Sequence, residues 1–298
     1  MGGGSFDMSS FRSYSCSVGK AVDSSGYVTR GQVFKETRMD ESMSPKNVIR
    51  ECVNSTEHPN TLPVILALDV TGSMGDACRR TAEALGPIMV NLLKEHKKDD
   101  IEFMVMGIGD LECDNAPLQV SQFESDVRIA KAIDKIYMEH GGGGNAYESY
   151  SAAWLFGLNQ TKLDCFDKQG KKGIIITMGD EPLNPTLPRN KVAYFLGEEA
   201  KAQADVDTKK LYAEASKKFD IFHISVDDWA TSYSSYKRRI EDSFGQLLGP
   251  RAKVATIQAL PNVIEACITE SIEGRNNGVN VLNEDNGVKT TKDGALLV

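Results

Sequence analysis

Long apolar runs are scarce in this chain of 298 residues. The most apolar stretch, Pro63 to Leu68, is far shorter than the ~20 residues that a membrane-spanning helix needs, so no membrane partner is expected. The N-terminal segment MGGGSFDMSS has no basic region ahead of an apolar one, and no secretory signal is read there. Phe6 stands where an N-myristoylation signal carries Ser or Thr. An excess of positive charge is missing as well: 34 basic residues face 42 acidic ones, for a net charge of −8. Nucleic-acid binders usually present a basic face to the phosphate backbone, so no nucleic-acid partner is expected. Cysteine never occurs as C-x-x-C. Cys16, Cys52, Cys78, Cys113, Cys165 and Cys267 are scattered, which in a chain of this length suits buried free thiols better than disulfides or zinc. The four histidines, His58, His96, His140 and His223, share no ligand spacing and read as structural. These absences point to a cytoplasmic protein.

What remains is ordinary globular composition, 41% hydrophobic and 26% charged. Residues 1–60 are rich in Ser, Gly and charge with weak periodicity, and read as an extended N-terminal arm that either packs on the domain or reaches a partner. The character changes at residue 61. Val64-Ile65-Leu66-Ala67-Leu68 is a continuous apolar run ending in Asp69, as expected of a strand buried on both faces. Similar runs occur at Ile101–Gly107, Gly173–Met178 and Asp220–Val226, with short edge strands at Leu118–Val120 and Ala252–Ile257. Helical periodicity fills the intervals: Asp76–Glu95, Ser125–Met138, Ala146–Leu158, Asn190–Lys201, Thr208–Lys218, Tyr236–Leu247 and Pro261–Ile272. Strands alternating with helices predict an α/β fold, a doubly wound and mostly parallel sheet with helices on both faces, over residues 61–272. Residues 273–298 are polar and Gly/Asn-rich and read as a tail.

Chemistry concentrates after the first buried strand. Asp69-Val70-Thr71-Gly72-Ser73 sets one carboxylate and two hydroxyls on alternate positions of a tight loop. Oxygen donors at that spacing suit a hard cation, and the helix expected from Asp76 adds the positive end of its dipole. Asp180 ends another buried strand. Ligands of open α/β sheets bind beyond the carboxyl ends of the strands, so if these two strands are neighbours, Asp69 and Asp180 face one crevice. Asn145 or Glu148, after the run Gly141–Gly144, is a further oxygen source. For Glu148 the favoured reading is a first-turn helix carboxylate facing the helix dipole. Asp110 is either an acid that buttresses the metal loop or a turn aspartate capping local backbone.

D-x-T-x-S after a strand, a Gly-rich middle loop and a late acid together resemble the von Willebrand factor A (VWA) family, over about residues 60–270. The run L-D-V-T-G-S-M-G carries the match. H-P-N before the strand and G-G-G-G-N-x-x-E-S-Y in the middle loop look like the stand-alone bacterial and phage versions. The resemblance implies a Rossmann-like VWA fold with a metal-ion-dependent adhesion site. It also implies the roles: Asp69 acting through water, Thr71 and Ser73 as direct ligands, Asp180 as the late acid, and Mg²⁺ as the ion, with Mn²⁺ or Ca²⁺ as substitutes. Two departures stand out. The family usually reads T-D-G where this chain has Thr177-Met178-Gly179-Asp180, and it places Thr after two glycines where this chain has Asn145.

Three function classes follow. The leading one is a protein-binding module whose metal captures an acidic side chain of a protein partner: a cation held largely by neutral hydroxyls keeps charge to spare. The second is a structural or assembly component of a phage particle or bacterial complex, its arm pairing with a neighbour by strand addition. The last is a metal-dependent phosphohydrolase. Phosphatases of the haloacid-dehalogenase type need D-x-D, and Thr71 stands in place of the second acid; a hydroxyl does not serve as a general acid/base near neutral pH. No enzymatic activity is therefore expected.

Overall fold

The computed structural model describes residues 4–96, 100–139, 147–226 and 234–276. Its centre is a six-stranded sheet built from β4 (Thr61–Asp69), β5 (Asp100–Ile108), β6 (Leu118–Val120), β8 (Gly173–Gly179), β11 (Phe219–Val226) and β12 (Ala252–Ala255), in the order β12-β11-β8-β4-β5-β6. Three two-stranded sheets surround it. They pair β1 (Ala21–Val22) with β2 (Val28–Arg30), β3 (Arg50–Cys52) with β7 (Thr161–Leu163), and β9 (Thr186–Leu187) with β10 (Val206–Asp207).

This corrects the expected doubly wound, Rossmann-like VWA sheet. The central sheet is mixed: β6 runs antiparallel to β5, with Met106 opposite Val120 and Ile108 opposite Leu118. The reason lies in the connection. Residues 109–117 form an irregular turn too short to hold the crossover that a parallel neighbour requires, so the chain doubles back. The three satellite sheets have no counterpart in the strand-helix alternation either.

Among the described residues the helices are α1 (Met8–Ser17), α2 (Gly75–Glu83), α3 (Leu85–Glu95), α4 (Arg128–Asp134), α5 (Ser151–Asn159), α6 (Asp164–Asp167), α7 (Arg189–Phe195), α8 (Thr208–Lys218), α9 (Ser234–Leu248) and α10 (Leu260–Asn276). All nine residues of β4 are buried, and their alternation feeds two cores. Val64, Leu66 and Leu68 join apolar residues of α2, α3, α4 and α10, while Ile65 and Ala67 join residues of α5, α8 and α9.

Four predicted helices are shorter than their periodicity, among them Asn190–Lys201, which is helical only over α7. The run Asp76–Glu95 breaks at Ala84 into α2 and α3. Pro87 has no N–H to offer the carbonyl four residues back, and Gly86 lies so near the Gly26 carbonyl that a β-carbon would sit 2.4 Å from it. The run Ser125–Met138 is helical only over α4. The Gln119 side chain holds Tyr137 at both backbone groups, donating to its carbonyl (2.8 Å) and accepting from its N–H (2.9 Å). The run Ala146–Leu158 becomes α5, whose first N–H, that of Ser151, donates to the Asn184 side chain (3.2 Å).

The segment before β4 is structured where it is described. Phe6, Phe11, Val28 and Met43 are buried in the core under α2 and α3, and Lys20 pairs with Asp134 of α4. No periodicity betrayed this, because single anchors spaced along irregular chain leave no repeat. Among the described residues no helix is long and apolar enough to cross a membrane.

Candidate functional site

The register of the sheet sets the site. β4 is flanked in parallel by β5 and β8, with Leu68 opposite Met178, so the loops leaving β4 and β8 emerge side by side. Asp69 closes β4 and Asp180 follows β8. Beyond Asp69 the chain turns through a short 3₁₀ segment, Gly72–Met74, into α2. Gly75 takes ordinary helical angles (φ −53°, ψ −42°), so the turn is made by the 3₁₀ geometry and not by glycine freedom at that position.

Asp69 is fully buried and its carboxylate is held from two sides. One oxygen, Oδ1, accepts the Thr71 N–H (3.0 Å) and the Thr71 hydroxyl (2.6 Å). Oδ2 accepts the Tyr150 hydroxyl (2.7 Å). The Cys78 thiol of α2 meets the Asp69 carbonyl (2.9 Å). Across the crevice, the Ser73 hydroxyl donates to Asp180 Oδ1 (3.1 Å). Exposure rises from Asp69 and Thr71, both buried, through half-buried Asp180 to exposed Ser73. The cluster is thus a well that opens to solvent at Ser73.

The electrostatics match the crowding. Burial, and then the negative charge of Asp180, push Asp69 up to about 7, against the hydrogen bonds from Thr71 and Tyr150. Burial also raises Asp180, opposed by Ser73. Glu148 is driven higher, to about 10, by burial and then by the charge of Asp69. Two carboxylates brought together at a partly buried edge favour a cation between them.

The structure therefore brings Asp69, Thr71, Ser73 and Asp180 together. The other candidates fare differently. Glu148 lies ahead of α5, extended and bridged to Leu183, so it is not a first-turn helix carboxylate. It is buried, and its Oε2 has no hydrogen-bond partner. Asp110 caps its own turn, its Oδ1 accepting the Glu112 N–H (3.1 Å) and the Ser149 hydroxyl (3.4 Å), while its buried Oδ2 has no partner. Asn145 lies outside the described residues.

Tyr150 is the residue that sequence reasoning missed. It is fully buried, and besides gripping Asp69 its hydroxyl accepts the Glu181 N–H (3.3 Å). Its ring meets those of His223 (5.1 Å) and Phe244 (5.5 Å) edge-on. His223 stacks on Phe244, and its Nδ1 lies 2.9 Å from the Thr177 hydroxyl. Burial lowers the His223 pKa far enough to keep the ring neutral. No local signal marks Tyr150, since within Y-E-S-Y it reads as one more helix residue.

Among the described residues no group of three or more His, Cys, Asp and Glu side chains is arranged to hold a metal ion. The cluster contributes two carboxylates, and its remaining oxygens are hydroxyls. This all-oxygen donor set fits a hard cation such as Mg²⁺ and does not fit a thiolate- or imidazole-seeking metal. The fit is chemical. Each hydroxyl spends its proton on a carboxylate, leaving oxygen lone pairs free to face a cation.

No protein-family model matches this chain, and no curated protein matches it. Among solved structures it is similar to the pilus adhesin SpaC from Lactobacillus rhamnosus GG at 10% identity and a TM-score of 0.49, over 77% of this chain and 32% of the adhesin. An open conformation of the same adhesin gives a TM-score of 0.46 over 77% of this chain and 31% of that one. Proximal thread matrix protein 1 from the mussel byssus gives 0.45 at 10% identity, over 70% and 47%. This chain spans about a third of the adhesin's length. Likeness at these levels carries no functional argument.

Proposed function

We propose that this chain is a Mg²⁺-dependent protein-binding module that captures an acidic side chain of its partner, and that it is not an enzyme. The supporting observation is the Ser73–Asp180 hydrogen bond of 3.1 Å, which joins the loops of two adjacent parallel strands at the solvent-facing end of an oxygen cluster. Asp69, Thr71, Ser73 and Asp180 would hold the ion. Both Asp69 oxygens already accept hydrogen bonds, which suits an acid acting on the ion through water. Thr71 and Ser73 bring no charge, so the bound ion stays electrophilic toward an incoming carboxylate. The likeness of L-D-V-T-G-S-M-G to the VWA metal loop supports the same reading. Mn²⁺ or Ca²⁺ would substitute with altered affinity.

The compartment proposed is the cytoplasm. None of the six cysteines forms a disulfide and four of them are buried, as suits a reducing milieu. The assembly alternative gains no support from residues 4–60, because their apolar anchors are spent on the chain's own core.

Isothermal calorimetry with Mg²⁺ tests the site. Asp69→Ala and Ser73→Ala should each lower the affinity at least tenfold without unfolding the chain, as judged by circular dichroism. Unchanged affinity in both variants refutes the site. A pull-down from host lysate with and without EDTA then tests the partner; the expected result is a protein retained only without chelator and lost in Asp69→Ala.

A further inference from the structure

Three elements meet at one phenol oxygen. Tyr150, placed just before α5, donates to Asp69 Oδ2 on the first loop and accepts from the Glu181 N–H on the second. Its ring is fully buried and packs edge-on against the stacked pair His223 and Phe244. Behind it, a β-carbon on Gly179 would lie 1.9 Å from its hydroxyl oxygen, so the β8 strand end accommodates this side chain only as glycine.

We propose that Tyr150 is a positioning residue that fixes the spacing between the Asp69 loop and the Asp180 loop, and thereby sets how tightly and how selectively the site holds Mg²⁺. The inference rests on the reading of Asp69, Thr71, Ser73 and Asp180 as the cation site. The physical reason is that Mg²⁺ demands near-octahedral oxygens at short distances, whereas Ca²⁺ accepts longer and looser coordination. A cage whose two loops are pinned by one rigid aromatic holds the short geometry. Releasing that pin lets the loops relax outward, which penalises the small ion more than the large one. Groups that orient metal ligands from outside typically change affinity 10–100-fold when removed.

Tyr150→Phe keeps the ring and its packing and deletes only the oxygen. The experiment is calorimetric titration of wild type and Tyr150→Phe with Mg²⁺ and separately with Ca²⁺, alongside melting curves in EDTA and in saturating Mg²⁺. The expected result is a ten- to hundredfold weaker Mg²⁺ affinity, a smaller loss for Ca²⁺, and a reduced gap between the EDTA and Mg²⁺ melting temperatures. A merely structural hydroxyl lowers both melting curves together and leaves the ion-induced gap and the Mg²⁺/Ca²⁺ ratio unchanged, which overturns the positioning role alone. If wild type itself binds no Mg²⁺, the cation site falls and this inference falls with it.

Discussion

The hydroxyl of Tyr150 occupies the space where any side chain at position 179 would have to go: a β-carbon built on Gly179 lies 1.9 Å from that oxygen and 2.5 Å from the ring. Neither partner is free to yield. Gly179 ends a strand hydrogen-bonded on both sides in the middle of the sheet, and Tyr150 is fully buried.

Gly179→Ala should therefore destabilise the protein by about 3 kcal/mol, the upper range for overpacking a rigid interior. Tyr150→Ala in the same chain should recover part of that loss, because the clash and the cavity offset each other. Urea denaturation of the two single variants and the double variant measures the coupling, and strictly additive losses would show that the two residues do not share that volume.

The stability of the ion-free protein should fall as pH rises from about 4 to about 7, and Asp69 should be a main cause. Its pKa rises from an ordinary 3.8 to about 7 in the folded chain, first through burial and then through the charge of Asp180. The folded state consequently holds a proton that the unfolded state has given up. The Asp69 contribution is complete below the ordinary carboxylate value and disappears as pH passes through about 7, a loss on the order of 4 kcal/mol. Asp69→Asn cannot titrate there, so the stability of wild type minus that of the variant, measured in EDTA, should decline across this range. Mg²⁺ should abolish most of the decline. A flat difference in EDTA contradicts the assignment.

Phe11→Ala should cost about 3–5 kcal/mol, as truncation of a buried aromatic does elsewhere. Phe11 is 2% exposed and packs within the core that holds α2 and α3. Thermal melting distinguishes this from an arm that merely lies on the surface, for which the variant would melt within a degree or two of wild type.

Much of the central sheet was legible because its strands announce themselves as continuous apolar runs. Val64–Leu68 and Gly173–Met178 suit strands buried on both faces, and D-V-T-G-S directly follows the first of them. The direction of Leu118–Val120 was not legible, since periodicity reports pleat and burial and says nothing about polarity. Glu148 was misjudged for a related reason. Its sequence continues smoothly into α5, but the bridge to Leu183 holds it extended, and that partner lies far along the chain. Tyr150 escaped altogether. The bond that makes it matter spans 81 residues to Asp69, and long-range pairing of that kind leaves no trace in local pattern. The arm was hidden because Phe6, Phe11, Val28 and Met43 are too widely spaced to form a period.

The strand at the heart of the sheet is also the first of its six to be synthesised. β4 has β5 on one side and β8 on the other, and β8 leaves the ribosome about a hundred residues later, a wait on the order of 5–20 s at usual elongation rates. Throughout that interval a nine-residue apolar strand lacks half of its hydrogen-bonding partners. Nascent chains of this protein should accordingly depend on chaperone shelter until residue 179 has emerged. Truncations that end before β8 should then accumulate as aggregates, and not as a smaller folded core.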